Sequence, residues 1–204
     1  MQEEYVRKLL YEIPEGADYA IVASELEKED ISSTRVRQLE ELLQHGEYLF
    51  EVSMLLTAWG YDSGFNCLTE LFDKGLLKGY IINRIYGYDE TNKHILDNLI
   101  LYWINNGAGE KEGVDNKVNL YIKRIIQDSF LEMYDLDPLI TFLQLSNTSQ
   151  EIIELMKQNL EKITLKQVNF LWRIKSDLKI INLYDKDFVE NFINKYSLDR
   201  NDIL

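Results

Sequence analysis

The side chains in this sequence able to do chemistry are few: two histidines, His45 and His94, one cysteine, Cys67, and neighbouring carboxylates such as Glu40 with Glu41, Asp89 with Glu90, and Asp135 with Asp137. Neither histidine belongs to an H-E-x-x-H or E-x-x-H pattern. The residues three before them are Leu42 and Thr91, so zinc-protease and carboxylate di-iron chemistry lose their ligands. No G-x-x-x-x-G-K, G-x-G-x-x-G or G-x-S-x-G occurs, which leaves no phosphate cradle and no nucleophile elbow. Paired carboxylates can act as acid and base. Among 35 acidic residues, however, such neighbours arise by chance, and on helices most are solvated or favour the helix dipole. A single cysteine excludes an internal disulfide and a thiolate cage within one chain. Phe65, Leu68, Leu71 and Phe72 surround Cys67 at helical spacing, which reads as packing. The expectation is a protein without catalytic residues, metal or cofactor.

A different kind of chemistry is suggested between Tyr80 and Tyr88. There Tyr80, Arg84, Tyr86 and Tyr88 crowd a glycine-containing turn that ends in Asp89 and Glu90. Tyrosine and arginine dominate protein interfaces because they bury large area and still offer a polar tip. Burial in a core is the competing role for the same tyrosines.

The elements that must hold these residues are helices. Only two prolines interrupt 204 residues, and apolar residues recur at three and four positions. Residues 2–12 read as a helix ended by Pro14 and Gly16, and a second helical run is expected from Ala17 to about Glu29. Ser33 or Thr34 is the expected cap of a helix carrying Val36, Leu39, Leu42 and Leu43, which Gly46 stops. Residues 48–59 are apolar nearly all round, as in a helix covered on both sides. Gly60 breaks that run, Asp62 or Ser63 can cap the next, and Gly75 closes it. A helix is then predicted over about 90–105, followed by a long polar loop from Asn106 to Asn116.

Beyond that loop, Val118, Tyr121, Ile122, Ile125 and Ile126 form one stripe. Asp137 with Pro138 marks a helix start, and Thr148 with Glu151 and Thr164 with Gln167 match the capping box. Ile152, Ile153, Met156 and Leu160, then Leu165, Val168, Leu171, Trp172 and Leu178, are the expected buried positions, with Phe188, Val189, Phe192 and Ile193 in a last helix. Helices joined by tight turns lie antiparallel. The fold class is therefore all-α: antiparallel hairpins stacked as a short HEAT-like α-solenoid, in one domain over 1–204, with an irregular helical bundle as the alternative.

An apolar fraction of 46%, with aromatic residues making up 12% of the chain, places the many charges outside a real core. The net charge of −13 is uneven: residues 138–204 hold nine acidic and nine basic side chains, so the whole surplus lies in 1–137. Such a surface repels phosphate and attracts a basic protein, which argues against direct nucleic-acid binding. It also speaks against a helical-repeat DNA glycosylase, which needs a basic concave face. The first ten residues lack the apolar core and cleavage site of a secretory signal, and no apolar run is long enough to span a bilayer, so no membrane association and a cytoplasmic location are expected.

The segments LLTAWGYDSGFNCLTELFDKG, Leu55 to Gly75, and RIYGYDETNKHILDNLILYW, Arg84 to Trp103, resemble the core of a family of helical bacterial immunity proteins. Those proteins protect cells from the toxin domains of polymorphic and contact-dependent growth inhibition systems, often through HEAT-like folds. The resemblance covers roughly residues 30–145. It implies a cytoplasmic protein that binds the C-terminal domain of one cognate toxin, commonly a nuclease, and occludes its basic active site. The residues chosen as toxin contacts are Tyr61, Asp62, Glu70, Asp73, Tyr86, Tyr88, Asp89, Glu90 and Asp97, carboxylates facing basic groups and tyrosines as anchors. The alternative is a HEAT-like adaptor for protein–protein interaction that has no toxin partner.

Overall fold

The computed structural model describes residues 2–17, 22–108, 112–129, 132, 134–166 and 171–199. Among these the fold is all-α: ten α-helices, two short 3₁₀ turns and no strand, with one isolated antiparallel bridge between Ile82 and Asp89. None of the described helices is long and apolar enough to cross a membrane. The chain packs into two compact units, one formed by Met1–Lys78 with Asp97–Asp115 and the other by Gly79–Leu96 with Asn116–Leu204.

The first unit holds α1 (Gln2–Tyr11), the 3₁₀ turns Ala23–Glu25 and Lys28–Asp30, α2 (Ser33–His45), α3 (Leu49–Ala58), α4 (Asp62–Asp73) and the later part of α5 (Thr91–Asn105). Two short turns replace the helix expected over 17–29, of which residues 18–21 lie outside the described residues. The physical reason is Leu26: it sits in extended backbone between the turns, and that break turns its side chain into the core. The start of α2 is set by Ser32, one residue earlier than expected, whose hydroxyl accepts from the Arg35 N–H at 3.2 Å. Gly46 closes the helix in the left-handed conformation, as its position predicts.

Arg35 ties three elements together. Its Nε donates to the Leu9 carbonyl at 2.7 Å and one Nη to that of Glu12 at 2.8 Å, serving carbonyls that the end of α1 leaves unpaired. Its guanidinium also lies over the Trp59 ring, 5.0 Å from the centroid. The Trp59 indole in turn donates to the Ala23 carbonyl at 2.7 Å.

Helix α3 is the centre of this unit, buried at Phe50, Val52, Ser53, Leu55, Leu56, Thr57 and Ala58. Its buried hydroxyls bond within the helix, Ser53 to the Phe50 carbonyl and Thr57 to that of Ser53, so no polar group is lost to the core. Helix α4 crosses it at Gly64, where an added Cβ would stand 2.5 Å from both Leu56 Cβ and the Thr57 nitrogen. At its far end Asn105 and Asn106 donate to the carbonyls of Ala58 and Gly60.

The second unit contains the first turns of α5, most of α6 (Glu112–Asp128), α7 (Leu139–Leu145), α8 (Ser149–Lys166), α9 (Leu171–Asn182) and α10 (Lys186–Tyr196). Helix α6 begins at Glu112, which shortens the loop expected to reach Asn116; residues 109–111 lie outside the described residues. A glycine in the first turn, Gly113, costs little where N–H groups have no helical partner anyway. Helix α8 runs through Thr164, expected as the cap of a new helix, because the stripe Ile152, Met156, Leu160, Ile163 continues without a break. Gln167 lies outside the described residues. Thr148 precedes α8 as expected, but Glu151 pairs with Lys123 of α6 at 2.6 Å instead of closing a capping box.

The buried face of α9 departs most from the sequence reading. Leu171 and Trp172 are exposed, and Arg173, Ile174, Asp177, Leu178, Ile180 and Ile181 face the core. Arg173 and Asp177 stand one turn apart, with Arg173 Nε 3.1 Å from each carboxylate oxygen. Arg173 also donates to the Ser129 hydroxyl and lies over the Tyr134 ring. These contacts compensate the buried pair in part, since Nη1 of Arg173 is buried without a hydrogen-bond partner among the described residues.

Candidate partner-binding surfaces

In the second unit the loop over 79–90 is built around Asn83. Its N–H donates to the Tyr88 carbonyl and its own carbonyl accepts from Gly87, each at 2.8 Å, closing a tight turn that needs Gly87 at φ 75°. The Asn83 side-chain oxygen accepts from the N–H groups of Ile85 and Tyr86, while its amide nitrogen donates to Glu90 at 3.0 Å. Asp89 accepts from Gly79 N–H with one oxygen and from Thr91 N–H with the other, and the latter bond starts α5. Asp89 and Glu90 are thus part of the hydrogen-bonded frame of the loop.

That frame displays apolar side chains outward. Ile85 is 82% exposed and Tyr86 67%, with Tyr80 and Ile82 also at the surface. Tyr86 stacks on Tyr88 with ring planes 3° apart and centroids 5.4 Å apart, and Tyr88 stacks on Trp172 of α9 at 6.1 Å. Partial burial, Tyr86 and the Glu90 carboxylate push the Tyr88 hydroxyl above the usual tyrosine range. The three aromatic rings thus form one stack whose Tyr86 end is open to solvent. Sequence reading found Tyr86 and Tyr88 but assigned Trp172 to the core; no local signal marked it as exposed, because the burial of Arg173 beside it depends on tertiary contacts.

In the first unit the five chosen residues do different things. Tyr61 is half-buried against the core and precedes α4. Asp62 accepts a short hydrogen bond from the buried Tyr102 hydroxyl, and burial together with that carboxylate raises the tyrosine far above its ordinary range. Tyr102 also stacks on Phe65 at 4.4 Å, so Asp62 is held by the core. Glu70 and Asp73 are exposed on α4, where Glu70 pairs with Lys74 at 2.5 Å, and Asp97 is exposed on α5. The nine residues thus divide between the units: Tyr61, Asp62, Glu70, Asp73 and Asp97 in the first, Tyr86, Tyr88, Asp89 and Glu90 in the second.

The reactive groups are dispersed. His45 Nδ1 lies 2.7 Å from the Glu41 carbonyl of its own helix. Cys67 is half-buried on α4, and burial raises its thiol, with Glu70 adding to the effect. Among the described residues no three of His, Cys, Asp and Glu converge as a metal ion would require. The charge, by contrast, is concentrated: the first unit carries 20 acidic and 8 basic side chains, the second 15 and 14. Comparison with protein-family models, with curated proteins and with solved structures finds no match to this chain.

Proposed function

We propose that this chain is an immunity protein that binds a basic toxin domain, a nuclease by the chemistry of its surface, and neutralises it by occlusion without catalysing a reaction. The observation that carries this reading is the placement of charge: nearly the whole surplus of negative groups belongs to one of the two compact units. An enzyme acting on phosphate presents lysine and arginine to its substrate, and a surface of opposite sign occupies those groups with fast, electrostatically steered association. The open aromatic stack of Tyr86, Tyr88 and Trp172 supplies the second need of a tight inhibitor, rigid anchors that slow dissociation. The likeness of residues 55–75 and 84–103 to helical immunity proteins supports the same reading.

Within each unit we read the paired helices as hairpins of HEAT-like type. What supports this is that α3 packs mainly on its neighbours α2 and α4, and α9 on α8 and α10. The place of action is the cytoplasm, where such a toxin would meet its substrate. The test is co-expression with the C-terminal toxin domain of an exported protein encoded beside this chain. Restored growth and a complex that co-purifies are expected; a toxin that kills unimpeded and does not bind would overturn the proposal.

A further inference from the structure

We propose that the groove between α2 and α4 of the first unit is a receptor for one lysine or arginine side chain of a protein partner. The groove has a volume of about 480 Å³. Leu43, Leu49 and Leu71 line it, with Cys67 among them, while Glu40 and Glu70 stand on its two helices. This is the pattern a long cationic side chain requires, an apolar trough for the methylene stem and carboxylates for the charged head.

Two observations select a cation over other occupants. Glu40 is half-buried, yet its recorded partner is the hydroxyl of Ser63 at 2.7 Å, and among the described residues no ammonium or guanidinium pairs with it. A partly desolvated carboxylate held by one neutral donor gains strongly from a cation placed beside it. The second observation is Lys74, which reaches back one turn to Glu70 and so places the chain's own ammonium at the groove. That pair is exposed on both sides, so a partner's cation exchanges for it at small cost. The surplus of carboxylates on this unit raises the local concentration of cations and disfavours an anionic ligand. Burial keeps the Cys67 thiol neutral, in keeping with an apolar stem beside it.

This inference rests on the reading of the chain as a binder of a basic protein, and its primary readout needs no toxin. As the sole cysteine, Cys67 reports occupancy of the groove through its rate of alkylation by iodoacetamide, followed by mass spectrometry at alkaline pH. The probe is an acetylated peptide of alternating arginine and leucine; the control carries citrulline in place of arginine. The arginine peptide is expected to slow alkylation several-fold, and the citrulline peptide to leave the rate unchanged. Glu40→Gln should abolish the protection, whereas Lys74→Ala, an exposed change that leaves the fold intact, should strengthen it by removing the internal competitor. No protection by the arginine peptide, equal protection by both peptides, or protection weakened by Lys74→Ala overturns the groove. An unprotected Cys67 in a chain that still rescues cells from the toxin overturns the groove alone. Protection in a chain that never binds the toxin overturns the immunity reading alone.

Discussion

The two units handle charge in opposite ways. The first keeps its ion pairs at the surface: its buried polar residues among those described are Asn98 and Ser53, Thr57 and Thr69, whose hydroxyls each bond to a carbonyl of their own helix. The second is close to neutral overall, with 15 acidic and 14 basic side chains, yet buries a complete ion pair, Arg173 with Asp177. A unit without a buried ion pair can carry a large surface charge, because little of that charge depends on the core. A unit with an internal ion pair has a core that responds to the loss of either partner. Under the function proposed above, the first unit supplies the steering charge and the second the aromatic anchor.

The sharpest way to break this contrast is to remove one half of the ion pair. Arg173→Leu leaves Asp177 buried without its cation and is expected to destabilise the protein by about 3–5 kcal/mol, read as a lower urea midpoint. Replacing both residues, Arg173→Met with Asp177→Leu, should return most of that loss, since a buried pair exchanged for apolar side chains is close to neutral. A double variant as unstable as the single one would show that the pair itself holds the core.

In the first unit the corresponding weak point is steric. Gly64→Ala places a Cβ against Leu56 and the Thr57 backbone, and overpacking of this kind is expected to cost about 1–3 kcal/mol. The loss should appear in the same denaturant titration, with no new dependence on pH.

The smallest effect separates the units by pH. Burial raises the Asp177 carboxyl above its ordinary value, against the opposing pull of Arg173 and with a further push from Asp135 and Asp137. The folded state therefore holds this proton more tightly than the unfolded chain does. Its stabilising contribution is complete below the unfolded pKa and is lost as pH rises through the folded one. Asp177→Asn should remove that slope from stability measured on the acid side of neutrality, while Gly64→Ala leaves it in place. An unchanged slope in Asp177→Asn would assign the acid response to other carboxylates.

Much of this could be read without coordinates because helical periodicity is local. The stripes of α2, α4, α6, α8 and α10, the glycine stops at Gly46, Gly60 and Gly75, and the start near Pro138 all depend on residues within one or two turns. Boundaries moved where a long-range contact decided them, as with Leu26 between its two turns and Glu151 drawn to Lys123. The candidate surface was half legible: Tyr86 and Tyr88 declare themselves by type and setting, but whether a tyrosine is anchor or core depends on what packs behind it.

The amino-acid order by itself determined an all-α chain and an acidic surplus confined to residues 1–137. Only the tertiary structure decided that this surplus belongs almost entirely to one compact unit, since α5 belongs in part to each unit and the chain is divided where no local signal lies. It also decided which face of α9 is buried. A helix with Trp172 on one side and Arg173 and Asp177 on the other would by hydropathy turn the tryptophan inward. The bonds of Arg173 to Asp177 and Ser129 reverse that choice, because an arginine paired with a carboxylate can be buried and an aromatic ring can stack outside.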